Sequence, residues 1–350
     1  MFEQVSESAG RSWKLWLVLA VLAFGLPASL IWVLRMTRMP LKSYRGQLPP
    51  LTNEQLETVS HLSQHVKYLS ETIGERNLSK VGTLHAATDY LQSQLEQAGY
   101  AVTEQTYLVQ GHQVRNLEVR LPGTDAAGKT VVVGAHYDSV AGAPGADDNA
   151  SGAAGVLELA RLLRGSAHRK TIRLVLFVNE EPPFFQTESM GSLVYARQLR
   201  TEHVSVSAMI SLEMLGFYSD VPGSQKYPVL LGLFYPDRGN FIGFVGNPES
   251  RTLVRQAVRS FRDTTQFPSE GTAAPAEWPG VGSSDHWSFW QEQYPAIMIT
   301  DTALFRYPYY HTSFDTADRL DFEKMARVVE GVRRVVESLT TDLVWSAPSD

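Results

Sequence analysis

The order of apolar and polar positions divides the chain into an apolar leader, a helical stretch and a stretch where strands and helices alternate. Residues 15–34 form an uncharged run, and about twenty such residues in a helix cross a hydrocarbon core roughly 30 Å thick. Trp13, Trp16 and Trp32 lie near its ends, where indole rings favour the membrane interface. A core helix would be polar on one face, and a cleaved signal peptide would be followed by an Ala-x-Ala site. The expectation is therefore a tail over 1–12 and an uncleaved transmembrane helix over 13–35, kinked at Pro27. Residues 36–52 carry Pro40, Pro49 and Pro50 among scattered basic residues and read as a linker.

From residue 53 the pattern is globular. Leu56, Val59, Leu62, Val66 and Leu69 recur at helical spacing, and Leu84, Ala87, Leu91 and Leu95 do so again before Gly99, a usual stop residue. Residues 102–109 and 114–120 read as strands. Three continuous apolar runs follow at 130–135, 172–178 and 208–212, the texture of strands buried on both faces of a parallel sheet. Helical patterns at 153–163 and 193–199 lie between them, and a closing helix is expected over 322–339. Together these predict an α/β fold: a single domain over 53–350 with a mostly parallel mixed central sheet covered by helices on both faces, preceded by the transmembrane helix.

Composition narrows the chemistry. The net charge of -6, from 31 basic and 37 acidic residues, offers no footprint for nucleic acid. Cysteine is absent, which removes disulfides, thiolate metal sites and cysteine nucleophiles, so any metal is held by nitrogen and oxygen. A serine nucleophile is set aside as well, because no Gly-x-Ser-x-Gly elbow follows a strand. Arg35, Arg38, Lys42 and Arg45 after the span outweigh Arg11 and Lys14 before it, a bias that by itself keeps the domain cytoplasmic. Long C-terminal domains cross membranes despite such charges. The expected topology is single-pass, with the catalytic domain periplasmic or extracellular.

Each of the three buried strands ends in ionisable residues. The first gives His136 and Asp138, the second Glu180 and Glu181, the third Glu213. Open α/β sheets place their sites at the carboxyl edge of the strands, so three neighbouring strands deliver an imidazole and several carboxylates to one crevice. The loop GAPGADDNASG adds Asp147 and Asp148. One histidine or aspartate after a strand is an ordinary loop residue; the set is not, because clustered carboxylates repel and pay desolvation unless a cation neutralises them. Two divalent metals sharing one carboxylate, about 3.5–4 Å apart, neutralise them and activate water. Zinc suits nitrogen and carboxylate ligands, and manganese or cobalt would accept the same set. His136 and Asp138, two apart in extended chain, project to one side, so Asp138 is placed to take a hydrogen bond from the ring nitrogen that His136 does not offer to metal. Glu180 and Glu181 must point differently: one ligates and the other faces water as general base.

In order along the chain, HYDS, GADDNASG, NEE, LEM, SDHWSF and YYHTSFDT resemble the zinc aminopeptidases of peptidase family M28, here a membrane-anchored member of bacterial type. The resemblance runs from about residue 55 to the C-terminus. It implies two zinc ions, with His136 and Glu213 on one, Glu181 and His311 on the other, and Asp147 bridging both. Many members have Asp where this chain has Glu213. The resemblance makes Glu180 the general base, assisted by Asp138, and leaves Asp148 a structural part in the turn. His311 is chosen among nine histidines through the YHT stretch alone. The implied reaction is hydrolysis of the N-terminal bond of a peptide with a free N-terminus, by a water held between the two metals.

Asp285 and His286, in the SDH position, read as supporting groups or pocket wall rather than ligands. Asp315 reads as a loop-holding residue, and Tyr310, with Tyr309, Phe184 and Phe185, as a candidate for the substrate pocket. Two rival functions remain. A glutaminyl cyclase shares this fold with one zinc, held by the positions of Asp147, Glu181 and His311. A non-catalytic ectodomain would show gaps in the ligand or base positions, and none is present.

Overall fold

In a computed structural model of the chain, residues 26–125, 128–228 and 231–341 are described. They fall into two units, one ending at Arg38 and one beginning at Met39. The first contains helix α1, Leu26–Thr37.

The expected membrane helix over 13–35 is corrected here. Among the described residues no helix is long and apolar enough to cross a membrane. The described helix here is Leu26–Thr37, and Leu26 is the first of the described residues. Residues 13–25 of the expected span lie outside the described residues. The anchor, the membrane as a partner and the single-pass topology with a periplasmic or extracellular domain are withdrawn together.

The second unit is an α/β domain around an eight-stranded mixed sheet. Its first helices are α2, Asn53–Lys67, and α3, Val81–Gln97. Thr52 starts α2 through a capping box with Gln55, which satisfies two amides that the first helical turn leaves open. The strands are β1 Thr103–Val109, β2 His112–Leu121, β3 Thr130–His136, β4 Thr171–Phe177, β5 Val206–Leu212, β6 Ile242–Gly246, β7 Ser269–Ala273 and β8 Ala296–Thr300. The helices after β3 are α4 Gly152–Leu163, α5 Gly191–Thr201, α6 Arg251–Thr264, α7 His286–Gln291 and α8 Phe322–Thr340. The sheet runs β1-β2-β4-β3-β5-β8-β6-β7. Pairs β3–β4, β3–β5, β5–β8 and β6–β7 are parallel, and β1–β2, β2–β4 and β6–β8 antiparallel.

The three apolar runs become β3, β4 and β5, adjacent and parallel as their texture requires. Every residue of β3 is buried, because α4 covers one side while Val132 joins Phe177, Tyr195 and Phe289 on the other. The strands therefore end side by side, His136 opposite Phe177, and the loops leaving their carboxyl ends enter one space. The stretch read as a linker is tied down: Arg262 donates to the carbonyls of Pro40 and Leu41 at 3.1 and 2.9 Å. Ser43 Oγ accepts the Ser269 amide of edge strand β7 at 2.9 Å, which covers part of an edge otherwise open to pairing.

Candidate metal centre

His136 closes β3, Glu180 and Glu181 follow β4 and Glu213 follows β5, and all four are buried. The loop after β3 brings in Asp147 and Asp148, and the loop before α8 brings in His311. Gly145 turns the first loop with φ +61°, and a Cβ there would run into the Asp148 carbonyl. Only glycine meets both demands.

Two groups of metal-ligating atoms result: His136, Asp148 and Glu213, and Asp148, Glu181 and His311. His136 Nε2 lies 3.0 Å from Glu213 Oε2 and 3.3 Å from Asp148 Oδ1. His311 Nε2 lies 3.0 Å from Asp148 Oδ2 and 3.2 Å from Glu181 Oε2. One carboxylate thus presents one oxygen to each histidine. A tetrahedral zinc with arms of about 2.0–2.2 Å sets neighbouring ligand atoms roughly 3.3–3.6 Å apart, close to these spacings. Buried atoms aimed into the cluster, His136 Nε2, Asp148 Oδ1 and Glu181 Oε1, have no hydrogen-bond partner. Such orphans are costly in a folded chain, and a cation on each side of Asp148 would satisfy them. The residues fit a two-zinc site.

The electrostatics agree. Burial, then the charge of Asp148, pushes Glu181 up to about 7, and burial pushes Glu213 up to about 8. Burial and the charges of Glu213, Glu181 and Asp285 hold Glu180 well above the usual carboxylate range. Burial disfavours the charged form of His311, but Asp148 and Glu181 override it and raise the ring to about 10. Without metal the site holds extra protons; with metal those protons leave.

Asp148, not the expected bridge Asp147, is the residue common to both groups. Asp147 Oδ1 accepts the Gly216 amide at 2.9 Å, and its carboxyl lies against Asp301, which with burial holds it well above its ordinary range. It belongs to neither group. Asp148, at φ -104° and ψ 94°, leaves the helical path and turns its side chain towards the histidines.

Asp138 sits behind both. Its Oδ1 is 3.5 Å from His136 Nδ1, its two oxygens accept the Glu180 and Glu181 amides at 3.2 Å each, and its carbonyl lies 3.2 Å from the same ring nitrogen. Glu180 is outside both ligand groups, with Oε2 3.8 Å from His136 Nε2. Asp285 is fully buried nearby, pushed up to about 6 by desolvation. His286 points away, its Nε2 2.7 Å from the Val281 carbonyl and its ring edge-on to Trp290. Tyr310 stacks on His311 with centroids 3.8 Å apart. Of the aromatic pocket candidates, only Tyr310 lines the adjoining cleft, together with Glu213.

Several functional neighbours were not singled out by sequence, although Asn149 lies in GADDNASG and Ser284 in SDHWSF. Asn149 donates to Glu213 Oε2 at 2.9 Å and to the Leu212 carbonyl at 2.8 Å, and Ser284 donates to the same carboxylate oxygen at 3.0 Å. Arg76, fully buried, donates to the carbonyls of Tyr137, Pro144 and Gly145 at 2.6, 2.5 and 2.6 Å, fastening the metal loop to the end of β3. Asp301 stands at the end of β8, and the strand-end signal that marks His136 and Glu213 marks it too.

Residues 116–336 match the model of peptidase family M28. The uncharacterized protein YfbL of Escherichia coli K12 is 40% identical over 280 residues, which cover 77% of this chain and 85% of that protein. The LapA aminopeptidase of Legionella pneumophila has a similar fold, with TM-score 0.62 and 19% identity, covering 85% of this chain and 78% of LapA. So has BSAP, a zinc aminopeptidase from Bacillus subtilis, with TM-score 0.63 and 16% identity, covering 79% and 94%.

Proposed function

The chain belongs to peptidase family M28, and from that premise we propose that it is a two-zinc aminopeptidase, releasing the first residue of peptides with a free N-terminus. The observation that carries this reading is Asp148, whose two oxygens face two separate histidine–carboxylate pairs. His136, Glu213 and Asp148 would hold one zinc, and Glu181, His311 and Asp148 the other. When bound, the pair supplies Lewis acidity that polarises the scissile carbonyl and makes water a stronger acid.

The chain's own residues do the rest. Glu180 faces the same space without belonging to either ligand group, and its amide is pinned by Asp138. Its carboxylate takes a proton from water as the water oxygen bonds to the carbonyl carbon. It returns that proton to the amine nitrogen as the C–N bond breaks. The raised pKa of this buried carboxylate suits a group that must hold a proton between two steps. Asp138 keeps the His136 ring oriented through Nδ1. The surrounding carboxylates make the site attractive to the ammonium of a free N-terminus.

The test is metal analysis together with product analysis on N-terminal aminoacyl and glutaminyl peptides, for the wild type and Glu180→Gln. Two metals per chain, free amino acids from the wild type and loss of turnover by about 10²–10⁴-fold in a variant that keeps its metal support the assignment. One metal with ammonia released from glutaminyl peptides makes the chain a cyclase and overturns it.

A further inference from the structure

Beside the metal centre the sheet forms the floor of an apolar cleft of about 830 Å³, mouth included. Two rows of side chains cross this floor. In one, Thr300 of β8, Gly243 of β6 and Glu270 of β7 are in register; in the other, Met298, Val245 and Thr272. The alternation is consistent on the opposite side: Phe244 meets Phe261 of α6, 5.3 Å between centroids, and a Cβ on Gly246 would meet Val254. Residues on one side of β6 thus pack on α6, and Gly243 and Val245 face the cleft. Its walls are aromatic and aliphatic, among them Tyr227, Phe241, Phe305 and Val281, and its near end is Glu213 and Tyr310.

The floor is long. Glu213 follows β5, β5 pairs with β8, and β6 and β7 come next. Strands about 4.8 Å apart put the far strand, β7, roughly 14 Å from the metal-bearing strand, so the floor is deeper than any one side chain and leaves room for a large one. At mid-floor stands a glycine. Gly243 has no left-handed φ to explain it, and a Cβ there would lie 3.2 Å from the Thr300 carbonyl and 3.5 Å from the methyl groups of Thr300 and Thr302. Its missing side chain keeps the near and far halves continuous. At the far end Glu270 is met by Arg262 at 3.3 Å; Lys226 also lines the cleft, and a glutamyl substrate reads whether it draws a charged guest.

We propose that this cleft receives the side chain of the substrate's first residue, that it selects large aromatic residues, and that Gly243 is the residue that sets this size. The proposal rests on the aminopeptidase reading. An aromatic ring suits such a space because it brings a large flat apolar area at little conformational cost. A bulkier residue at 243 divides the cleft, excluding rings before it excludes a methyl group.

The experiment compares the wild type, Gly243→Ala and Gly243→Val on alanyl, leucyl, phenylalanyl, lysyl and glutamyl aminomethylcoumarin amides. Calorimetric binding of L-phenylalaninol and L-alaninol is measured alongside. The wild type is expected to favour phenylalanyl over alanyl by about 10–100-fold in kcat/KM. Gly243→Val should cut that ratio at least tenfold, with Gly243→Ala between. A wild type that prefers leucyl, alanyl, lysyl or glutamyl substrates, or a ratio unmoved by Gly243→Val, overturns the pocket. If the wild type cleaves none of the amides, the aminopeptidase reading fails by itself. The alcohols then decide the pocket: phenylalaninol binding lost in Gly243→Val sustains it, and equal binding to both proteins overturns it.

Discussion

Asp315 and Asp148 stand 167 residues apart in the chain, and Asp315 Oδ2 accepts the Asp148 backbone amide at 3.1 Å. The other oxygen accepts the Asp147 amide at 2.8 Å and the Tyr307 hydroxyl at 2.9 Å. Asp315 lies four residues after His311, so a single carboxylate joins the loop carrying one histidine to the loop carrying the shared aspartate. Asp315→Ala leaves two buried amides without acceptors, at a cost of about 2–4 kcal/mol. It also frees Asp148 to drift from His311, so zinc affinity should fall about 10–100-fold. Chelator competition and thermal melts measure both; unchanged zinc affinity would show that the link carries no positioning.

The neighbouring aspartates predict opposite outcomes. Asp148 offers an oxygen to each ligand group, so Asp148→Ala should remove both zinc ions and with them all turnover. Asp147 has its carboxyl on the Gly216 amide and against Asp301. Asp147→Asn keeps the shape and the acceptor oxygen, so both zinc ions should stay. Atomic emission on dialysed protein reads the stoichiometry directly. Two zinc ions in Asp148→Ala, or none in Asp147→Asn, would restore Asp147 as the bridge.

That pair also marks where sequence stops being informative. The three buried strands were legible because continuous apolar runs have few other uses, and their polar ends named His136, Glu180, Glu181 and Glu213. Between adjacent aspartates the choice depends on which side chain the loop turns inward, a matter of Gly145, Asp315 and Gly216 contacts that no local pattern encodes. Asp301 was legible by the same strand-end signal, since the apolar run of β8 is five residues long, as long as the run at 208–212. Arg76 was not, because its partners are backbone carbonyls, which every residue has. The membrane helix was overturned on other ground: hydropathy reports what a segment would tolerate, and among the described residues no helix is long and apolar enough to cross a membrane.

Arg76 carries a third prediction. Burial lowers its guanidinium to about 10 against the pull of Asp315 and Asp138, which leaves it charged at neutral pH. Arg76→Met fills the volume but leaves the Tyr137, Pro144 and Gly145 carbonyls without a donor, a loss of about 3–5 kcal/mol. Arg76→Lys retains the charge and cannot reach all three, so it should recover only part. Because these carbonyls flank His136 and Asp147, the loss should be greater in zinc-loaded than in chelated protein. Denaturant titrations with and without chelator test this, and an equal loss in both would confine Arg76 to the fold.

Acid stability depends in part on His65, in helix α2. Its Nδ1 lies 2.7 Å from the Tyr90 hydroxyl, and burial lowers the ring to about 4, the charge of Glu158 opposing. The unfolded ring titrates near its ordinary value of 6.5. Between these values the unfolded chain binds the proton and the folded chain does not, so stability falls as pH drops from about 6.5 towards 4. Above 6.5 both states are neutral and the group contributes no pH dependence. The full span corresponds to at most about 3 kcal/mol, and partial solvent access brings it nearer 2. His65→Gln keeps a hydrogen-bonding partner for Tyr90 and removes the titration, so its stability curve should be flatter than the wild type's by that amount between pH 7 and pH 4.5. The comparison belongs in chelator, because protonation of His136 and His311 would otherwise add zinc loss to both curves. Parallel curves for the two proteins would mean that the folded ring accepts its proton as readily as the unfolded one.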